Sequence, residues 1–367
     1  MKLLVARVVT KRGERTRRKQ RGEVRGLAIF GHMEVISIEL RCEQYLGAGT
    51  SGSVRSVAVG PDGRRYAVKT VDPPVSAETL AEVHIHAELP PNDSIVRYHF
   101  AWIHDQKLRL LMERVDGELW DALDDHSAAV VLDERLAWMH SLLQAVAWLH
   151  SHGIAHRDIS PWNCFLAAVV ENGADKSQRV LKIGDFGLAC RVPLGGQRIN
   201  GMLLDGFAPL DASAVGSLYS APELGSEDGY DAKQADIFSA GMTLFAIWHG
   251  VTNGMNGSEK ASLTDYVEQL KATGALPLCW THAHSMDLAI GRLIERMVSA
   301  QPDSRPSASE CVDALAKAVE DARRPAVGAV QLRFQSLPPR RPFTRFGLPR
   351  RLPSAARIHP LPGAGST

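Results

Sequence analysis

Residues 153–166 read GIAHRDISPWNCFL, which sets His156, Arg157 and Asp158 side by side and puts Asn163 five residues beyond the aspartate. Upstream, DERLAWMHSLLQAVAWLHSHG (133–153) repeats apolar residues at i, i+3, i+4 and i+7 and ends on Gly153, the pattern of an amphipathic helix with a glycine stop. Downstream, LKIGDFGLA (181–189) carries Asp185-Phe186-Gly187 at the end of an expected short β-hairpin, and GSLYSAPEL (216–224) carries Ala221-Pro222-Glu223. Each tripeptide alone arises often by chance. Their order along one chain is the informative part.

The half of the chain before this stretch reads as strands. LGAGTSGSV (46–54) holds Gly47, Gly49 and Gly52 in G-x-G-x-x-G spacing, a weak signal by itself because a dinucleotide-binding fold uses the same glycines. That fold needs a helix directly after them, whereas SVRSVAVGPDGRRYAVKTV (53–71) alternates as a hairpin turning at Pro61-Asp62-Gly63. A glycine hairpin that folds over phosphates and offers backbone N–H groups fits better. No G-x-x-x-x-G-K-[ST] occurs, which excludes a Walker loop.

Lys69 stands on the last of these strands, able to reach phosphates when a carboxylate fixes it. SAETLAEVHIHAEL (76–89) reads as the next helix, stopped by Pro90 and Pro91. Glu82 on it is the expected partner of Lys69; Glu78 and Glu88 share the helix, and Glu78 is the nearer rival. SIVRYHFAW (94–102) and KLRLLMERV (107–115) read as two more strands, and helical runs recur at 234–248, 288–299 and 308–322. His84 and His86 lie on different faces of their helix, so a shared metal is not expected, and His86 reads as core packing. His282 and His284 are isolated from any Cys or acidic cluster, and Trp138 and Trp148 read as core residues of an amphipathic helix.

Composition bounds these readings. With 45% hydrophobic and 23% charged residues, the 367-residue chain has the make-up of a globular protein with a sizeable core. The net charge of +1 is uneven: residues 1–30 carry ten Lys or Arg against Glu14 and Glu23, and nine Arg with no acid follow from Arg323, so the middle is strongly acidic. The five cysteines form no CxxC pair, which points to reduced thiols in a cytosolic or nuclear protein. The opening apolar stretch is too short and interrupted for a signal peptide, and no run reaches the length of a membrane span.

The ordered set of glycine loop, Lys69, His156-Arg157-Asp158 with Asn163, Asp185-Phe186-Gly187 and Ala221-Pro222-Glu223 resembles the signature of the eukaryotic protein kinase superfamily over about 36–322. The resemblance implies an α+β bilobal fold: a small β-rich lobe with one main helix over about 36–116, and a larger, mainly helical lobe over about 117–322. Residues 1–35 then read as a basic, disordered arm and 323–367 as a Pro/Arg-rich disordered tail. The implied cofactors are ATP and Mg²⁺, with Mn²⁺ as an alternative. Asp158 would orient the substrate hydroxyl and accept its proton, Lys69 fixed by Glu82 would hold phosphates, and Asn163 and Asp185 would hold the metal. Gly47, Gly49, Gly52, Val54, Ala67, Lys69, Met112, Glu113, Val115 and Glu118 would line the nucleotide site, with Met112 guarding its back, Glu113 and Val115 meeting adenine through their backbone, and Glu118 near the ribose. Asp236 resembles the buried aspartate that anchors the catalytic loop, and Arg305 the arginine that pairs with the Glu223 position.

AEVHIHAEL…SIVRYHFAW and ADIFSAGMTLF are similar to both the Wee mitotic-inhibitory kinases and the translational-stress kinases that modify an initiation factor. GSLYSAPE resembles the activation-segment pattern of serine/threonine kinases, with Ser217 in place of threonine, so the implied reaction is transfer of the γ-phosphate to Ser/Thr hydroxyls of protein substrates, in cell-cycle or stress signalling. Arg157 implies control by phosphorylation of this segment, with Ser213 as an acceptor, and the glycine-rich stretch 195–212 reads as a mobile loop. One departure matters. Serine/threonine kinases place a lysine two residues after the catalytic Asp, where this chain has Ser160, and Trp162 stands where some tyrosine kinases use arginine. The alternative reading is therefore a pseudokinase scaffold that binds ATP with little or no transfer. The basic termini add an expected weak, nonspecific contact with nucleic acid, the implied location is the nucleus or cytoplasm, and oligomeric state stays open.

Overall fold

The computed structural model describes residues 5–11, 35–49, 52–59, 64–73, 77–125, 130–169, 178–192, 218–225, 229–249 and 285–323. All of them belong to one compact unit, Met1–Arg324. Strands β1 (Val5–Lys11), β2 (Val35–Gly49), β3 (Gly52–Val59), β4 (Arg64–Val71), β5 (Tyr98–His104) and β6 (Lys107–Glu113) form one sheet in the order β1-β2-β3-β4-β6-β5. From β2 to β5 every neighbouring pair is antiparallel. The expectation that residues 1–35 lack structure is corrected at its start, because β1 pairs in parallel with Val35–Arg41. The β-branched run in VARVVTK suits an extended strand, and the ladder satisfies its backbone groups. The basic stretch 12–34 and the tail from 324 lie outside the described residues.

The period-2 alternation of the strands sorts their side chains onto two faces. Val57, Val68, Trp102 and Leu111 cluster on one face, and Val71, Ala101, Leu108 and Leu110 on the other, together with Val83 of helix α1 (Ala77–Glu88). Lys69 is two residues from Val71 and so faces the helix side. This parity explains how a lysine on a buried strand can find a carboxylate at all.

The larger lobe begins with the short strand β7 (Gly117–Glu118) and helix α2 (Leu119–Asp124). Helix α3 (Leu132–Ser151) is its central rod, with Trp138, Met139, Leu142, Leu143, Ala145, Val146 and Leu149 buried along it. Gly153 follows at φ 68°, a left-handed conformation that glycine adopts at no steric cost, as its reading as a helix stop requires. Strands β8 (Ile154–Ala155), β9 (Cys164–Val169), β10 (Gln178–Ile183) and β11 (Cys190–Arg191) build two small sheets, β10-β9-β7 and β11-β8. Helices α4 (Ala232–His249), α5 (Ser285–Met297) and α6 (Ala308–Arg323) close the lobe around one large core. Leu119 and Phe186 belong to that core, so the starts of α2 and of the Asp185 loop are anchored in it. The two lobes are linked by a parallel bridge, Ile95 to Ile183, with Val96 N–H on Ile183 O at 2.8 Å and Ile183 N–H on Ser94 O at 2.9 Å.

Candidate active site

Lys69 donates to Glu82 Oε1 at 2.9 Å and to Asp185 Oδ1 at 2.8 Å, joining β4, α1 and the loop after β10. Of the helix carboxylates weighed against one another, Glu82 is the one on Lys69; Glu88 is exposed and pairs with Arg191, and the side chain of Glu78 lies outside the described residues. Burial works against the Lys69 ammonium, but Asp185 and Glu82 outweigh it and raise its pKa, so it stays charged. Burial drives the Glu82 carboxyl upward against the pull of Lys69, whereas in Asp185 that pull wins over burial and holds the carboxyl below its usual range.

Asp185 sits at φ 59°, and Arg157 at φ 64°. Such a conformation costs a residue with a side chain about 1–3 kcal/mol and persists only where the surroundings impose it. For Arg157 the surroundings are visible. Asp236, fully buried on α4, accepts the His156 N–H at 2.7 Å and the Arg157 N–H at 2.6 Å, and also meets His150 Nε2 at 2.9 Å. The loop is thus held by one carboxylate from behind, as the resemblance implied for Asp236. The Arg157 side chain donates to Leu188 O at 2.6 Å and to Tyr230 Oη at 3.3 Å. Ser213, Ser217 and the stretch 195–212 lie outside the described residues.

Asn163 donates through Nδ2 to Asp158 O at 2.8 Å and to Asp158 Oδ2 at 2.7 Å. Burial pushes the Asp158 carboxyl up to about 6, against the lowering effect of the Asn163 hydrogen bond. Because Asn163 spends its N–H groups on Asp158, its Oδ1 is left as an acceptor. Asp185 uses Oδ1 for Lys69 and for the Gly187 N–H at 3.3 Å, and 37% of its side chain is exposed. A carboxylate and a carboxamide oxygen of this kind are the hard donors that a small divalent cation takes, so the residues fit the implied metal.

Behind Asp185, Phe186 is fully buried between two imidazoles, with ring centroids 4.5 Å from His86 and 5.0 Å from His156. His86 also meets Val96 O through Nε2 at 2.8 Å and stacks on Tyr98 at 5.4 Å. Burial drives its pKa down to about 4, so it is a neutral packing group, as read from its place four residues after Glu82. No group of three or more His, Cys, Asp or Glu side chains is placed to hold a metal ion among the described residues.

The nucleotide-lining set assembles by strand register. Val54 stands opposite Lys69, and Lys69 opposite Leu110; Ser56 stands opposite Ala67, and Ala67 opposite Met112. Val54, Ala67, Lys69 and Met112 therefore share the sheet face that carries Lys69. The Glu113 N–H goes to Arg97 O at 2.8 Å and its carboxylate binds Lys182 at 2.9 Å, whereas the Val115 N–H has no acceptor among the described residues. Gly47 stands opposite Val54 and Gly49 opposite Gly52 at the hairpin end. Gly52 has a visible backbone reason: at φ 138° a Cβ there would stand 2.0 Å from Thr70 O. Glu118 lies half-buried at the start of α2, its carboxyl raised by burial and by Asp121.

Ser160, where a lysine was expected, is buried, and its carbonyl accepts the Asn163 and Cys164 N–H groups at 3.1 Å each. Farther out, Arg305 binds Glu223 bidentately, at 2.5 Å to Oε1 and 2.9 Å to Oε2. The sequence reading missed His150 beside Asp236, Tyr230 on Arg157 and Trp120 beside Trp162; each pair is far apart in sequence, and only the helix and loop packing joins them.

A bilobal α+β fold with these residues gathered between the lobes defines a class, and the chain belongs to it: the protein kinase domain family matches residues 40–315. Among its relatives are a Wee1-like protein kinase of Arabidopsis thaliana, 29% identical over 74% of this chain and 48% of that protein, and the membrane-associated tyrosine- and threonine-specific cdc2-inhibitory kinase wee-1.3 of Caenorhabditis elegans, 28% identical over 74% of this chain and 36% of that protein. The eIF-2-alpha kinase GCN2 of Arabidopsis thaliana is 26% identical over 72% of this chain and 24% of that protein. The chain thus resembles both the Wee and the eIF2-alpha kinases, and it spans less than half the length of these three relatives. No described helix is long and apolar enough to cross a membrane.

Proposed function

We propose that the chain transfers the γ-phosphate of ATP to serine or threonine hydroxyls of protein substrates. The observation that carries this reading is the joining of Lys69, Glu82 and Asp185 in one buried network beside the Asp158–Asn163 pair. Phosphoryl transfer asks the protein for in-line positioning and charge neutralisation and for little covalent work. Lys69, held by Glu82, binds phosphate oxygens. Asp158 Oδ2, fixed by Asn163, orients the acceptor hydroxyl and takes its proton. A divalent cation, Mg²⁺ in this proposal, supplies charge neutralisation when bound, held by Asp185 and by Asn163 Oδ1. The backbone at the end of β6, at Glu113, and the Val115 N–H receive the base.

Serine/threonine specificity is supported by the GSLYSAPE resemblance, and the names of the relatives give tyrosine acceptors as the rival outcome. The likeness to Wee and eIF-2-alpha kinases also supports a role in cell-cycle or stress signalling, and the place proposed for it is the nucleus or cytoplasm. The basic termini would add weak salt-sensitive contact with nucleic acid. Offering the purified chain Mg-ATP and a mixture of serine, threonine and tyrosine peptides, then identifying the phosphorylated residue, tests the proposal. Label on serine or threonine is expected; label on tyrosine alone contradicts the specificity.

The second reading, a scaffold that binds ATP without transfer, has one observation in its favour: buried Ser160 brings no cation to the transferring group. Losing one such preorganised group typically costs about 10²–10³ in rate, which slows a kinase without silencing it.

The proton step sets the pH dependence. Asp158 acts as an acceptor only when ionised, and its carboxyl is pushed up to about 6. The rate of transfer is therefore expected to rise with pH through about 6 and level off above it. A pH–rate profile that is already flat at pH 5 would remove Asp158 from this role.

A further inference from the structure

Helices α3 and α6 each turn one side toward a hollow that the active site does not use. Gln144, Ala147 and Trp148 stand at i, i+3 and i+4 on α3, and Ser309, Val312 and Asp313 repeat that spacing on α6, so each set shares a side of its helix. The loop between α1 and β5 supplies a third wall with Asp93 and Ser94. The cavity between these segments has a volume of about 540 Å³, within the range of small-molecule sites. It lies at the joint of the two lobes, because the Ser94 carbonyl on its wall is the acceptor of the Ile183 N–H at 2.9 Å. None of its lining residues belongs to the nucleotide or catalytic set.

The lining is one-sided in its chemistry. Asp93 and Asp313 come from different segments, and neither has an ion pair or a side-chain hydrogen bond among the described residues. Lys317, one turn along α6 from Asp313, does not pair with it. No Lys, Arg or His lines the cavity among the described residues. The side chains of Gln144 and Ser309 likewise have no partner there, which leaves two further oxygen acceptors. Ala147, Val312 and the half-buried Trp148 indole add apolar surface.

This combination sorts ligands by charge. Two carboxylates repel an anion, and an apolar molecule would desolvate them without compensation. One ammonium answers one carboxylate and leaves the other. A chain with an ammonium at each end answers both, while its methylenes cover Ala147 and Val312 and the indole face favours a nearby cation.

We propose that this cavity binds a linear aliphatic polyamine, a molecule with two or more ammonium groups joined by methylene chains. Asp93 and Asp313 take the charged ends, and Gln144 and Ser309 supply neutral acceptors. The site shares no group with Lys69, Asp158 or Asp185, so the proposal holds independently of phosphotransfer.

The test is isothermal titration calorimetry of the full chain at low salt with linear α,ω-diamines of increasing length, each beside the monoamine of the same length, and with spermidine. Both aspartates are exposed, so each contact with them is modest. At one length the diamine is expected to bind about 3- to 5-fold tighter than its monoamine. Asp93→Asn and Asp313→Asn should each weaken the diamine by about 2- to 5-fold and leave the monoamine less affected. Asp121→Asn, an exposed acid of α2 outside the cavity lining, removes the same charge and should change neither. Thermal melts check that the variants fold. The absence of saturable diamine binding, equal binding of diamine and monoamine at every length, or an equal loss from all three replacements overturns the proposal. Displacement of the diamine by ATP does so too, by moving it to the nucleotide site. Displacement by an Arg-rich peptide at lower concentration than spermidine would assign the cavity to a basic segment of a partner protein instead.

Discussion

Lys69→Met is expected to lower phosphotransfer by about 10²–10³-fold, the usual cost of removing one preorganised charge from a reacting phosphate, and to destabilise the fold as well. The two effects have one cause. Lys69 is the only cation on both Glu82 Oε1 and Asp185 Oδ1 among the described residues, and it is buried with Glu82. Methionine keeps the length of the side chain but leaves two carboxylates facing each other with no ammonium between them. Breaking a buried pair by removing one partner typically costs about 3–5 kcal/mol, though the 37% exposure of the Asp185 side chain lets water take up part of it. Steady-state transfer to a peptide reads the first effect, and urea denaturation the second. A variant that keeps its rate would detach Lys69 from catalysis. One that keeps its stability would mean that Glu82 takes up a proton in the variant, which its upward-shifted carboxyl favours.

Glu223→Ala is expected to have the largest effect on stability alone, about 3–5 kcal/mol. The Arg305 side chain is fully buried, and the guanidinium lies over the Phe238 ring at 5.1 Å. Besides the bidentate pair it donates to Ser299 O and to Gln234 O, each at 2.8 Å. Those carbonyls fix its position but do not neutralise it, so alanine at 223 strands a charge in the core. Glu223→Gln retains one acceptor and should fall between the two. Chemical denaturation of the three proteins gives the order wild type, Gln, Ala; equal midpoints would show that the pair contributes specificity and not stability.

The parts of this molecule legible in the sequence are those whose meaning is local. Asp158 and Asn163 belong to one loop, and the side-chain bond between them spans only five residues. Helix α3 was readable from its apolar period and from Gly153, and Glu82 was the expected partner of Lys69 from its place on the helix that follows the strand. What was not legible depends on packing between distant segments. His150 and Asp236 are both ordinary helix residues until α3 and α4 are laid side by side. The same holds for Trp162, notable in sequence only as the residue standing where some tyrosine kinases use arginine, until α2 brings Trp120 against it. Strand β1 was hidden by composition: the basic stretch after it dominates the first thirty-five residues and masks the short β-branched run in VARVVTK.

Ser160 makes catalysis itself the claim most in need of a direct measurement. The measurement is the rate of γ-phosphate transfer from labelled ATP to serine and threonine peptides by the wild-type chain and by Asp158→Asn, at a pH well above 6. Asparagine is nearly isosteric and can still meet Asn163, so the loop should keep its form while losing the proton acceptor. The account predicts measurable transfer by wild type and a fall of about 10²–10⁴-fold in the variant. Nucleotide binding by both proteins with no difference in transfer between them would contradict it, and would leave the chain a nucleotide-holding scaffold.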